Sequence, residues 1–514
     1  MFLYLSLKFF LLSLGFLIVF VSRYIFHLLL TRRVLSRIPG PPPSSLLWGE
    51  EWNLYQSAPG SPYIEWHKRY GKVVKFSGAL WHPVVSITDF KAISFILGEG
   101  IYSLPKPRGV RAWFRATLGE GILWVEGKLA HEHQRRILAP ALNQQAVRGL
   151  TPVFFETSAK LAMQWTKLFD ASSVDEMEID ITNWAGRFAL DTIGRAAFSY
   201  DFDCLSGAPH PLEEALNGLT NCEHKSSSFY MRALFWLFPP VLSMGKKGEM
   251  IQKTKYELGV IASRMWWDAK VAGDRDSKTV MAHMLRRDDS FPHSLLDEQH
   301  VVSQMRTIIS AGYETVSAVV AWILYELASD NQLQVALREE FSSLLDHSMD
   351  SVNSRCPLLD AVLKETLRLH PAILENHHET AHDICLPLSE PIPGMNELQL
   401  FLPKGTLLVI PVNAIQSDPE IWGPDAKIFR PQRWLEMKQN GNRRGRELLA
   451  FSEGPRSCIG KSFAIAEIKA LVVTLVRQFS FTCPYEIEAF QSFVVRPRVK
   501  NQTASSLPLL VRRL

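Results

Sequence analysis

Apolar positions crowd the first thirty residues and afterwards settle into two different rhythms. Phe9 to Ser22 is apolar apart from two Ser and one Gly, and apolar residues flank it on both sides, interrupted by Lys8 and Arg23. A segment between Leu3 and Leu30 is long enough to cross a bilayer once, with Lys8 or Arg23 reaching to an interface. Arg32, Arg33 and Arg37 follow, and a basic flank keeps the body of the protein on the cytoplasmic side. No small-x-small cleavage site precedes a mature start, so the pattern favours an uncleaved anchor over a removed signal peptide. Ile38-Pro39-Gly40-Pro41-Pro42-Pro43 then reads as a stiff, extended hinge that would hold the body off the membrane.

Beyond the hinge, Val73 to Ile87 carries β-branched and aromatic residues broken by Gly78 and Pro83, the signature of a small sheet. From Gln144 to Ala328 the apolar spacing is largely helical, with loops near Ser206–Pro211 and Ala272–Ser277. Leu386 to Val412 returns to short strands punctuated by Pro387, Pro391, Pro393 and Pro403. The expected architecture is mainly α with small β-sheets. An anchor occupies 1–30, a basic and proline-rich hinge 31–50, and one large domain 51–514.

Composition narrows this little further. Of 514 residues, 47% are hydrophobic and 21% charged, which fits a globular body with a large core. The net charge of +4 is too small to imply a nucleic-acid partner. The basic run Arg443, Arg444, Arg446 lacks interleaved aromatics and reads as a solvated loop. Cysteines stand at 204, 222, 356, 385, 458 and 483, with no C-x-x-C pair and no zinc-ligand spacing. Five of them read as reduced structural thiols. Asn501-Gln502-Thr503 is a glycosylation sequon that a cytosolic domain would never present to the machinery.

The sixth cysteine differs. Phe451 to Gly460, FSEGPRSCIG, sets Cys458 in a tight loop bounded by Gly454 and Gly460. A thiolate bound to haem iron needs backbone N–H groups aimed at sulfur, and glycine allows the dihedrals and close approach such a loop requires. Arg456 supplies a cation for a haem propionate, and Phe451 an aromatic face to shield the sulfur. Ser462 to Val476 reads as a helix whose positive end would point at the sulfur. The pattern F-x-x-G-x-R-x-C-x-G resembles the haem-binding loop of the cytochrome P-450 superfamily, with every defining position filled.

Three further segments agree with that resemblance. Leu295 to Ser329 is a long helical pattern interrupted by Ala311-Gly312-Tyr313-Glu314-Thr315. Gly in mid-helix costs about 1 kcal/mol relative to Ala, so Ala311 and Gly312 point to close approach, here by a flat macrocycle. The pentapeptide resembles the family's A-G-x-[DE]-T oxygen-activation motif. That resemblance places Glu314 and Thr315 beside the sixth coordination position, Thr315 to hold reacting oxygen or water and Glu314 to relay protons. Glu365-Thr366-Leu367-Arg368 puts a carboxylate and a guanidinium on one helical face. With Phe429-Arg430-Pro431-Gln432-Arg433-Trp434 it resembles the K-helix and meander, implying a buried lock of Glu365, Arg368 and Arg433. In the helix opening at Ala130, the family commonly has a Trp and an Arg four apart that reach a propionate; here these are His131 and Arg135. At His378 many relatives carry an Arg that pairs with a propionate. A protonated His378 would do the same and make haem retention pH-sensitive between about 6 and 8.

The resemblance covers residues 38 to about 510. It implies haem b, an NADPH-cytochrome reductase as electron donor, and single-pass anchoring in the endoplasmic reticulum membrane with the catalytic domain cytoplasmic. It further implies insertion of one oxygen atom from O2 into a lipophilic small molecule. The substrate walls would come from Ser103 to Trp124, Ile308 to Thr315 and Ala372 to Asn376, with Trp113, Phe114, Ile122, Leu123, Ile373 and Leu374 as apolar candidates. Lys461 and Arg136 are expected to dock the acidic reductase. The overall style is similar to fungal enzymes of secondary metabolism, where terpenoids are common substrates. Two alternatives stay open at this point: a reductase-independent haem-thiolate isomerase or dehydratase of hydroperoxides, and a catalytically silent membrane haem carrier.

Overall fold

The computed structural model describes residues 15–514 apart from 16–18, 20, 21, 27, 208, 209, 222–224, 274–278, 291–297, 345, 347 and 440–447. The predicted anchor between Leu3 and Leu30 therefore lies mostly outside the described residues, and Arg443, Arg444, Arg446 and Cys222 lie wholly outside them. Among the described residues one helix, Glu298–Ser329, is long and apolar enough to span a bilayer, and it is the central core helix, its most apolar part 83% buried.

Helices dominate, as the apolar spacing predicts. Glu298–Ser329 packs most extensively against Ile181–Phe198, and Lys461–Gln478 against Gln144–Ser172. These four share one apolar core, with Phe154, Phe188, Ile309, Tyr313, Ile323 and Leu471 among its near fully buried members. Helix ends follow local chemistry. Asn143 caps Gln144–Ser172 by accepting from the Ala146 amide. Pro357 opens Pro357–Leu369 where no amide is needed, and Pro371 follows its end.

The β structure exceeds the two predicted patches. Among the described residues there are eleven strands: β1 (Val73–Ser77), β2 (Pro83–Ile87), β3 (Glu176–Asp180), β4 (Glu375–Glu379), β5 (Ile384–Pro387), β6 (Gln399–Leu402), β7 (Leu407–Pro411), β8 (Phe479–Thr482), β9 (Ile487–Gln491), β10 (Val495–Val499) and β11 (Pro508–Arg513). They form four sheets: β1-β2-β7-β4, β3-β11-β8, β9-β10 and β5-β6. In the first, β2 and β7 pair in parallel and the other neighbours antiparallel. The sequence pattern leaves β3, β8, β11 and β4 unmarked, and also the local hairpin of β9 and β10. β11 pairs with β3 more than 300 positions away, and β4 (ENHHE) has no apolar alternation to announce it.

The proline-rich hinge is seated rather than free. The Lys75 amide donates to the Pro39 carbonyl at 2.9 Å. A side chain at Gly40 would run into the Lys75 carbonyl at 1.7 Å, so glycine is required for the chain to lie against β1. Leu35 and Ile38 are buried in the apolar cluster beneath that sheet.

Candidate active site

A cavity of about 1540 Å³ runs between the cysteine loop, the middle of Glu298–Ser329, the Arg108–Thr117 helix and the β1-β2-β7-β4 sheet. Phe114, Leu123, Ile308, Val316, Ile373 and Leu374 give it an apolar wall, and Trp113 and Ile122 line it too. Every apolar candidate from the sequence thus faces this space.

Cys458 lies on its floor. The cysteine is open to the cavity but shielded from bulk solvent, and that burial pushes its thiol pKa up, opposed by the Gly460 and Lys461 backbone N–H groups and by Arg135. The Cys458 amide in turn donates to the Phe451 carbonyl at 2.8 Å, closing the loop. Gly454 is obligatory: its φ is +71°, and an added Cβ would sit 1.9 Å from the Leu97 carbonyl. Gly460 is not, with φ of −90° and only open space where a Cβ would go. Its use is to leave the cavity floor clear beside the sulfur. Phe451 lines the cavity, and the Lys461 ammonium lies 5.6 Å from its ring centre.

A cationic rim stands over this floor. Arg135 donates to the Ser457 carbonyl at 2.8 Å. Arg456 pairs with Glu126 at 2.7 Å and donates to the Val125 carbonyl, while its Nε is buried without a partner among the described residues. Lys106 pairs with the same Glu126 at 2.7 Å, and burial lowers its pKa to about 8. Three cations against one carboxylate leave two positive charges on the cavity edge, the complement of two propionates. Lys106 escaped the sequence reading; nothing but its place between Pro105 and Pro107 marks it.

The two histidines divide. His131 is buried on the cavity edge with Nδ1 3.1 Å from the Tyr102 hydroxyl, and burial with the Arg456 and Arg135 charges lowers its pKa to about 4. A tyrosine proton donated to Nδ1 leaves Nε2–H as a donor, as the resemblance implies for this position. His378 departs from expectation. Its Nδ1 faces the Leu104 carbonyl at 2.8 Å and so carries the proton, and burial lowers its pKa to about 4. At pH 6–8 the ring is neutral and its Nε2 only accepts, so it is no cationic propionate partner in that range. Haem retention, followed by Soret absorbance, should be flat from pH 8 to 6 in wild type and in His378→Ala. A transition centred there in wild type and missing in the variant would contradict this.

The mid-helix motif also rearranges. Ala311, Gly312 and Thr315 line the cavity, but Glu314 does not. Glu314 is turned to Arg496 on β10 at 2.7 Å, both fully buried. Burial raises the Glu314 pKa to about 7 against the opposing Arg496 charge, so its carboxyl exchanges protons near neutrality from behind the helix. Thr315 donates to the Ala311 carbonyl at 2.8 Å, which leaves its lone pairs to accept from the cavity. A Cβ on Gly312 would press on Ile193 at 3.3 Å. The glycine therefore eases packing against Ile181–Phe198 as well as clearing the cavity.

The expected lock is present. Glu365 accepts from Arg368 at 2.7 and 2.9 Å and from Arg433 at 2.8 Å, with all three side chains essentially unexposed. Trp434 and the Arg430 amide complete the carboxylate's partners. Arg368 reaches on to the Gln416 and Ala426 carbonyls. Gln416 then accepts from the Leu449 amide at 2.7 Å, two residues before the cysteine loop begins.

A thiol at the floor of an apolar cavity, under a rim with two surplus positive charges, fits iron protoporphyrin and defines a haem-thiolate enzyme. A profile of the cytochrome P450 family matches residues 39–503. Cytochrome P450 monooxygenase claU of Ampulloclitocybe clavipes is 31% identical over 504 residues, 93% of each chain. Its relative claQ is 32% identical over 497 residues, 92% of each. Cytochrome P450 monooxygenase 205 of Postia placenta is 32% identical over 510 residues, 93% of each. The chain belongs to the cytochrome P450 family and is a monooxygenase.

Proposed function

We propose that the enzyme inserts one oxygen atom from O2 into a lipophilic small molecule of secondary metabolism, a terpenoid being the class considered first. The observation that carries this is the meeting of the Cys458 floor with a continuous apolar wall in one cavity that would hold both haem and substrate. Haem, when bound, supplies the activation of dioxygen. Cys458 would hold its iron, and Arg135, Arg456, Lys106 and His131 its carboxylates. The protein's own contributions are orientation and water exclusion by Phe114, Leu123, Ile373 and Leu374. Thr315 accepts a hydrogen bond inside the cavity, and Glu314 holds an exchangeable proton behind it.

Electrons come from NADPH through a membrane reductase. Arg136 and Lys461 are exposed, and Lys461 adjoins the cysteine loop, which supports docking of an acidic partner there. The N-terminal apolar segment anchors the chain in the endoplasmic reticulum membrane with the catalytic body cytoplasmic. Reconstitution with a fungal reductase and a panel of terpenoids tests the reading: NADPH-dependent hydroxylated product is expected. Turnover should fall with ionic strength and fall further in Arg136→Glu. NADPH-independent rearrangement of hydroperoxides, with no oxygen consumed, would overturn it.

A further inference from the structure

At the end of the cavity reached from helices Glu51–Gln56 and Lys225–Leu234, the lining changes from apolar to polar. Glu51 is 5% exposed and Tyr63 1%, and both line the cavity. Among the described residues neither the Glu51 carboxyl nor the Tyr63 hydroxyl has a hydrogen-bond partner. Both feel the charges of Arg232 and Glu375, which also line the cavity. Arg232 stands 3.5 Å from one Glu375 oxygen, and His377 3.3 Å from the other. Aromatic rings close around the group: Phe229 packs edge-on against Trp48 at 5.3 Å and Trp52 at 4.7 Å, and Trp236 lies on His377 at 4.8 Å.

Polar side chains held away from bulk solvent with no protein partner are seldom left idle. Here they face an open chamber continuous with the Cys458 floor. The geometry points to a polar subsite at this outer end that binds a hydroxyl group of an otherwise apolar substrate, fixing which distant carbon reaches the Cys458 end. This rests on the monooxygenase reading above and adds the substrate's chemical class: an elongated lipophilic alcohol. A hydroxyl donates to a Glu51 carboxyl oxygen and accepts from Tyr63 or Arg232, so it satisfies both kinds of group at once. A carboxylate would bring a second negative charge beside Glu375, which already engages Arg232 and His377. A plain hydrocarbon would strip water from all four groups and return nothing.

The test uses the full-chain holoenzyme titrated with 1-dodecanol, dodecane and dodecanoate. Binding is read twice, by the Soret shift and by quenching of the chamber tryptophans Trp48, Trp52 and Trp236. Dodecanol should bind about tenfold or more tightly than either analogue, the worth of one or two buried hydrogen bonds. Glu51→Ala and Arg232→Gln should each erase that preference without weakening dodecane binding, and Glu51→Gln should keep most of it. Equal binding of all three probes, tightest binding of dodecanoate, or a preference untouched by both variants overturns the subsite. The two readings fail separately. Loss of the red-shifted Soret band under carbon monoxide sinks the haem-thiolate assignment, whereas an intact band with no alcohol preference sinks only the subsite.

Discussion

Cys458→Ser is expected to abolish monooxygenase turnover and the red-shifted Soret band of the reduced carbon monoxide complex, while the fold survives. The serine hydroxyl stays protonated where the Gly460 and Lys461 amides stabilise a thiolate, so the electron-rich donor is lost although the loop keeps its shape. The shape is held elsewhere, by Gly454, the Cys458 amide bond to Phe451 and the Arg135 contact with Ser457. Far-ultraviolet circular dichroism should match wild type. A variant retaining the red-shifted band would exclude Cys458 as the iron ligand and collapse the assignment of the site.

Glu365→Gln should produce the largest loss of stability at any polar position. It leaves Arg368, 1% exposed, without its counter-ion, and Arg433, 2% exposed, with Asp425 alone. Breaking a buried pair by removing one partner costs about 3–5 kcal/mol, and here the lost charge is the one that bridges both guanidiniums. Because Arg368 also holds the Ala426 and Gln416 carbonyls, the damage spreads toward Leu449 and the cysteine loop. Haem content should fall together with melting temperature. The pH dependence follows from the same carboxyl. Burial raises its pKa, but the Arg368 hydrogen bonds and charge more than offset this, so the folded value lies below the ordinary one. Its contribution is present above the unfolded-state pKa and is lost as pH falls through the depressed folded value. Melting temperature in wild type should therefore drop steeply in acid, and Glu365→Gln should flatten that slope. A variant as stable as wild type, with the same acid profile, would remove the lock from the account.

Local chemistry made much of this legible. The cysteine loop needs residues within ten positions to shape one sulfur site, so its spacing can be read directly. The Glu365–Arg368 pair is likewise set by helical period, and the apolar runs of 298–329 and 461–478 declare themselves as buried helices. Glu314 was misplaced for a physical reason. Its neighbours along the helix say which face Thr315 occupies, but not that Arg496 on a strand 182 residues away would draw the carboxylate behind the helix. His378 is neutral because burial outweighs its hydrogen bond to the Leu104 carbonyl, and neither is local in sequence.

Read in one dimension, the chain determined its helical class, its haem-thiolate chemistry, its two-arginine lock and the apolar character of its pocket. Each of these rests on residues close in sequence or on composition that any fold must bury. Only the folded chain decided the pairing of β3 with β11, the Lys106–Glu126–Arg456 rim and the joining of Glu51, Tyr63, Arg232 and Glu375 at one end of the cavity. Those groups come from segments up to several hundred residues apart. Their charges, protonation and partners are set by distance and dielectric in space, which no local spacing encodes.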